Sequence, residues 1–295
     1  MSLLTTILKQ LINGLQSGSI YALVALGYSM VYGIIMLLNF AHGDIIMVGA
    51  YIVWLMMARF ALNPIIALLA AIVGCTALGV VIEKAAYKPL RSSPRISLLI
   101  TAIGISYFLE NAAQLIFGAN ARVIPPFINA EPITVGAVSI PAEAAVTLAA
   151  AGIAMVLLNV LVKKTKMGKA MRAVSEDAGA AQLMGININN TISFTFAVGS
   201  ALAGIGSVLY CCAYPKATPT MGSMLGLKAF VAAVLGGIGS IPGAMAGGFA
   251  IGIAEALVSS AGLSEWKDGV VFAILIIVLL VKPTGLMGRP MTEKV

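Results

Sequence analysis

Nine apolar runs follow one another along this chain, at 11–37, 45–61, 64–82, 96–118, 141–162, 190–213, 225–241, 243–262 and 268–282, with short polar joints between them. A helix that crosses a hydrocarbon layer needs about 20 mostly apolar residues, and these runs are near that length. Charged residues make up 10% of the 295 residues, and the mean hydropathy is +1.02. A soluble domain carries about 25% charged residues, so this chain cannot cover a water-facing surface. The expectation is an all-α, polytopic membrane bundle of about eight to ten transmembrane helices, forming one transmembrane domain over 1–295.

The net charge of +7 does not point to nucleic acid, because its bearers sit in the joints. Joint 83–95 holds Lys84, Lys88, Arg91 and Arg95, joint 163–189 holds Lys163, Lys164, Lys166, Lys169 and Arg172, and the tail holds Lys282, Arg289 and Lys294. The alternate joints, 119–140, 214–224 and 263–267, hold only Arg122, Lys216 and Lys267. Lys and Arg gather on the cytoplasmic side of membrane proteins, so the first set and the C-terminus are expected there. The N-terminus falls outside if all nine runs cross. It carries one basic residue, Lys9, and no clear cleavage site, and it reads as retained. Joint 119–140, with "VIPPF", reads as a structured external cap. No GxxxxGK[ST] segment is present, so the chain does not bind nucleotide through a P-loop. Cys75, Cys211 and Cys212 show no metal or redox spacing and read as packing residues.

Two runs are interrupted, by "LLNFAHGDIIMVGAY" at 37–51 and "VLGGIGSIPGAMAGG" at 234–248. Non-helical backbone survives in a membrane only where it is packed in protein or lines a wet cavity. In the first break Gly43 is expected to permit the turn. Asn39 and Asp44 are expected to cap the helix ends, and His42 to hydrogen-bond at a hinge or pathway wall. In the second, Gly236, Gly237, Gly239 and Gly243 allow positive φ and close helix approach, and Pro242 suits a position just after a helix stop. Broken helices near each end of a chain are the pattern of internally repeated transporters. The bland alternative is two tight turns at the membrane face.

Charges inside the runs are few: Glu110, Glu255, and Arg59 and Lys228 near run ends. Each costs about 2.5–3.5 kcal/mol on insertion scales, so such residues face the bundle interior. Ser106, Tyr107, Glu110 and Asn111 form a polar stripe in the middle of 96–118. It either lines a pathway or holds a hydrogen-bonded Glu110 against a neighbouring helix. In joint 163–189 a short helix is expected over 176–184, with Ser175 as N-cap, Glu176 and Asp177 at its positive end and Gly185 as its stop. So short a helix needs a surface to dock on, either a partner's groove or this chain's own bundle.

Together, "GSIYALVALGYSMVYGIIMLLNFAHGD" (18–44), "AYKPLRSS" (86–93), "MGKAMRAVSEDAGAAQLMGI" (167–186), "KAFVAAVLGGIGSIPGAMAGG" (228–248) and "VKPTGLMGRP" (281–290) resemble the high-affinity branched-chain amino acid ABC importer permeases of the LivH type. The resemblance covers essentially the whole chain. It implies a bacterial inner-membrane protein paired with a second, related permease subunit. It also implies two cytoplasmic ATPase subunits and a periplasmic binding protein that delivers leucine, isoleucine, valine or related amino acids. No cofactor is expected on this chain; ATP and magnesium would be bound by the ATPase partners. The run from Ala180 through Ala181 to Gly185 looks like the motif that inserts in an ATPase groove, flanked by Arg172, Glu176 and Asp177. Glu110 departs from the family, in which a neutral amide is commoner there.

On this reading the chain is a non-enzymatic permease half. Tyr21, Asn39, His42, Asp44, Glu110, Asn111 and Glu255 are candidate polar groups of the pathway, and the breaks around Gly43 and Gly236–Gly243 are places where helices tilt. A urea or short-amide permease, and an ion-coupled carrier with His42, Asp44, Glu110 and Glu255 as a relay, are the competing readings. An intramembrane enzyme built on His42 and Asp44 lacks a nucleophile at recognisable spacing.

Overall fold

A backbone in lipid must satisfy its own hydrogen bonds, and each of the apolar runs is helical. The computed structural model describes residues 3–35, 39–91, 93–127, 131–135 and 138–288. The helices are α1 Leu3–Ile35, α2 His42–Trp54, α3 Pro64–Ile82, α4 Arg95–Phe117, α5 Ala142–Lys164, α6 Lys166–Glu176, α7 Ala178–Leu183, α8 Ile188–Ala213, α9 Met221–Gly236, α10 Ile241–Ser260 and α11 Lys267–Val281. A π-helical turn, Leu55–Arg59, extends α2, and another, Glu83–Tyr87, extends α3. The end of the first expected span at 36–38, and Arg289 and Lys294, lie outside the described residues.

Among the described residues, six helices are long and apolar enough to cross a membrane: α1, α3 with its extension, α4, α5, α8 and α10. Of the other three expected spans, α2 with its extension covers 42–59, 13 and 5 residues in its two parts, while α9 has 16 residues and α11 has 15. At about 1.5 Å per residue, these are about 22–27 Å long, against a hydrocarbon layer of about 30 Å.

Lipid offers apolar helices no hydrophobic reason to associate, so close backbone packing must hold the bundle. Small residues supply it. A Cβ added to Gly18 of α1 would sit 2.9 Å from the Cα of Phe249 on α10. One added to Gly204 of α8 would sit 2.7 Å from the Cα of Ile72 on α3. These two seams, α1 on α10 and α3 on α8, correspond to each other. Exchanging α1 with α8, α2 with α9, α3 with α10 and α4 with α11 maps one set of packed pairs onto the other. Thus α1–α9 answers α8–α2, α2–α3 answers α9–α10, and α2–α4 answers α9–α11. α1 and α8 run antiparallel. Ser17, near the middle of α1, shares a 3.2 Å hydrogen bond with Tyr214, just past α8. At the other end Asn39, just past α1, bonds Tyr87, whose π-helical turn bonds the start of α8 through Ser193. The internal repeat is therefore an inverted one.

The basic joints gather at that second end. The turn from Lys282 to Met287 folds back there, with Leu286 N–H donating to Leu235 C=O at 2.8 Å and Met287 N–H to Gly236 C=O at 2.9 Å. The opposite end carries the Pro-rich joint. There β1 (Arg122–Val123) pairs antiparallel with β4 (Lys216–Ala217), and β2 (Ile133–Val135) pairs with β3 (Val138–Ile140).

Two local expectations are corrected. The helix expected at 176–184 is interrupted at Asp177, where α6 ends and α7 begins. The cap of α7 is Asp177, whose carboxylate accepts from Ala180 N–H at 3.0 Å, and not Ser175, whose hydroxyl donates to Arg172 C=O. Gly185 does end the segment, at φ +82°.

Candidate functional site

The two short helices meet at their beginnings. Gly43, the second residue of α2, packs on Gly222 and Gly226, the second and sixth of α9; a Cβ on Gly43 would sit 2.9 Å from the Gly226 Cα. From this crossing they diverge. α2 leads to Trp54, beside Phe117 and under the Arg122 guanidinium at 5.3 Å. α9 leads to Gly237, whose φ of +101° turns the chain toward α10. Neither start has a side-chain cap: Ala41 precedes α2 and Thr220 precedes α9. The backbone supplies its own acceptors at these starts, with His42 N–H donating to Asn39 C=O at 3.0 Å, Asp44 N–H to Ala41 C=O at 3.1 Å and Met221 N–H to Thr218 C=O at 3.3 Å, so two N-terminal ends, each with a partial positive charge, lie side by side.

The expected roles of the first break change accordingly. Gly43 makes no turn; it is helical, and its missing side chain lets α9 approach. Among the described residues, neither Asn39 nor Asp44 caps a helix end. Asn39 Oδ1 accepts from the Tyr87 hydroxyl at 2.8 Å, and Asp44 Oδ2 accepts from the Ser106 hydroxyl at 2.5 Å. His42 is 2% exposed and wedged against α1 at Gly27, edge-on to Tyr28 at 5.0 Å. Its Nε2 meets no hydrogen-bond partner among the described residues.

Ser106 ties this crossing to the polar stripe of α4. Glu110 lies one turn beyond Ser106, half-buried, with its Oε1 unpartnered among the described residues. Asn111 donates to Tyr107 C=O at 2.7 Å and is exposed. Tyr107 is 62% and Phe108 71% exposed. The stripe therefore looks outward from this chain, with Asp44 behind it.

Tyr21 and Glu255 belong to a different cluster. The Tyr21 hydroxyl donates to Glu255 Oε2 at 2.6 Å, and Lys228 Nζ sits 2.7 Å from Glu255 Oε1 and 2.6 Å from Asp268 Oδ1. The cluster ties α1, α9, α10 and α11 together. Among the described residues it makes no hydrogen bond to His42, Asp44 or Glu110, so the four groups of a supposed relay do not form one chain. Lys228 and Asp268 were not among the expected site residues. The signal for them was present: a lone cation in an apolar run must have a buried counter-charge.

In the second break Gly236, Gly237 and Gly239 (φ +88°) form the turn, and Ser240 caps α10 by accepting from Gly243 N–H at 3.2 Å. Gly243 is helical, and its backbone faces that of Gly236 with no side chain between them. Pro242 lies in the first turn of α10, where a missing N–H costs nothing. At the basic end, Arg172 donates to Lys163 C=O at 3.3 Å. Glu176 closes α6, and Ala180 lies on the exposed side of α7. Ala181 is buried against this chain's own helices, while Leu183 (90%) and Met184 (83%) are exposed.

A membrane-embedded helical bundle with an inverted repeat, paired broken helices and a polar crossing between them is the architecture of a transport permease. A family model described as branched-chain amino acid transport system / permease component matches residues 10–279. The high-affinity branched-chain amino acid transport system permease protein LivH of Escherichia coli (strain K12) is 45% identical over 301 residues, spanning 98% of this chain and 97% of its own. LivH of Salmonella typhimurium is 44% identical over 300 residues, with the same coverage. The BraD permease of Pseudomonas aeruginosa is 42% identical over 300 residues, spanning 98% of each chain. No solved structure matches the chain. The chain belongs to the family of branched-chain amino acid transport system permease components.

Proposed function

We propose that this chain is the permease subunit through which leucine, isoleucine, valine and related amino acids enter the cytoplasm. Transport would be driven by two separate cytoplasmic ATPase subunits that bind ATP and magnesium. The chain itself has no catalytic role and binds no cofactor. A second, homologous permease subunit covers the α4 face, and a periplasmic binding protein delivers substrate. The setting is the bacterial inner membrane, with the basic end and the C-terminus in the cytoplasm. Neither nucleic acid nor a metal has a part.

The observation that carries this reading is the crossing of α2 and α9, tied to the polar face of α4 by the Ser106–Asp44 hydrogen bond. A zwitterion needs donors for its carboxylate and acceptors for its ammonium group. The positive dipole ends of the two broken helices meet the first need. Asp44 and Glu110 meet the second, and the apolar walls tolerate an aliphatic side chain. Ala180 to Gly185 would contact the ATPase through the side that carries Leu183 and Met184.

Two measurements test the proposal: copurification of partners in mild detergent, and uptake of labelled leucine in a strain lacking this chain. Restored leucine uptake that needs ATP is the expected result. Restored uptake of urea or short amides instead would replace the substrate assignment. Uptake that collapses with the proton gradient while ATP is held constant would replace the mechanism.

A further inference from the structure

A line of polar contacts runs from the first turn of α8, which follows α7 after four residues, to the break between α1 and α2, through side chains that the expected site did not include. α7 packs on α6 and α8, and Ile186 N–H donates back to Ala181 C=O at 3.0 Å. A cleft lined by Arg91, Gln182, Gly185, Asn187 and Asn189 separates α7 from the rest of the basic end. Across it, Arg91 Nη1 donates to Asn189 Oδ1, in the first turn of α8, at 2.6 Å. The other arm of the same guanidinium pairs with Glu83. Glu83 is fully buried, and its second oxygen accepts from the Ser193 hydroxyl of α8 at 2.6 Å.

Glu83 opens the five-residue π-helical turn and Tyr87 closes it. Such wide turns insert an extra residue into a helix and concentrate at functional sites. Here the turn presents Glu83 to the start of α8 and Tyr87 to the break. The Tyr87 hydroxyl, on a residue 3% exposed, donates to Asn39, which is 2% exposed. Asn39 in turn accepts from His42 N–H through its carbonyl at 3.0 Å, which ties it to the first turn of α2. The Glu83–Ser193 and Tyr87–Asn39 bonds join buried or half-buried groups, the Arg91–Asn189 bond is exposed, and the backbone of the π-helical turn connects Glu83 to Tyr87. The two buried bonds resist being broken, because breaking either strands a buried polar group.

We infer that Arg91, Glu83 and Tyr87 are positioning residues that transmit movement of α7 to the α2–α9 crossing, with the π-helical turn as the joint between them. The inference rests on the proposed docking of an ATPase subunit on α7. A contiguous route between two sites earns this role only through measured coupling, so the test is a coupling measurement.

The complex of this chain with its permease, ATPase and binding-protein partners is reconstituted in lipid vesicles. Uptake of labelled leucine per ATP hydrolysed is compared for wild type, Tyr87→Phe, Arg91→Lys and the double variant. Tyr87→Phe removes one hydroxyl. Arg91→Lys keeps the charge but cannot bridge Glu83 and Asn189 together. Each single variant is expected to keep the ATPase bound and hydrolysing, while uptake per ATP falls about fivefold, the loss of one hydrogen bond. Links in series share one route, so the double variant is expected to stay near fivefold and not reach the about 25-fold of independent sites. Unchanged uptake per ATP in both single variants, or losses that multiply in the double, would overturn the inference while leaving the permease assignment standing. A wild-type chain that takes up no ATPase subunit would overturn both.

Discussion

Lys228 shows how one side chain is held in a hydrocarbon setting. An isolated ammonium there costs several kcal/mol, and Glu255 and Asp268 close around it from two other helices. Removing the cation strands two carboxylates. Lys228→Met is therefore expected to cost about 3–5 kcal/mol, read as a lowered unfolding midpoint in detergent. Neutralising all three, as K228M/E255Q/D268N, should recover most of it; a triple variant as weak as the single would refute the pairing argument. The presence of a counter-charge was legible in the sequence, since Lys228 interrupts an apolar run. Its identity was not. Glu255 is 27 residues on and Asp268 a further 13, and nothing in the spacing ranks them above Glu110. His42 teaches the same lesson in reverse. Its neighbours along the chain suggested chemistry, but what surrounds it is the bare backbone of Gly27, 15 residues earlier.

At the scale of elements, the apolar runs could be read because lipid enforces helicity wherever they occur. The breaks could be located for the same reason, since Asn, His, Gly and Asp in succession end an apolar run. The direction of the helix after the break could not be read. It depends on Gly43 meeting Gly222 and Gly226, a contact between residues nearly 180 positions apart. Gly43→Val should pry α2 from α9 and cost about 1–3 kcal/mol by overpacking, with uptake lost more steeply than stability. A variant with normal uptake would mean that the crossing is not needed for transport. α7 carries a sharper contrast. Ala181 faces inward, so Ala181→Glu should lower both the unfolding midpoint and ATPase copurification. Leu183→Glu combined with Met184→Glu should weaken copurification about tenfold or more and leave the midpoint unchanged. Equal effects in the two experiments would mean that α7 docks only on its own bundle.

At the scale of the whole molecule, the inverted repeat explains why two short helices exist at all. Each half contributes one, and the two-fold relation brings them together at the centre. The open side of that centre is α4, only 17% of whose most apolar stretch is buried in this chain, against 78% for α1. Cysteines placed at Phe108 or Leu115 on this face should crosslink to the second permease subunit in membranes, while one at Ile65 on α3 should not. The reverse pattern would put the partner on another face.

The exposed stripe on α4 also bears on how the cell keeps its subunits in proportion. A chain made without its partner presents Glu110, Asn111 and Tyr107 to lipid, a surface that a bilayer tolerates poorly. Membrane proteases act on segments that sit badly in the bilayer, so an orphan copy should be short-lived and a paired copy durable. The half-life of this chain, followed after synthesis is stopped with and without the second permease, would then measure assembly directly. Replacing Glu110 and Asn111 by leucine should lengthen the orphan's life while abolishing its usefulness: the polar stripe would act both as part of a pathway and as a stock-keeping mark.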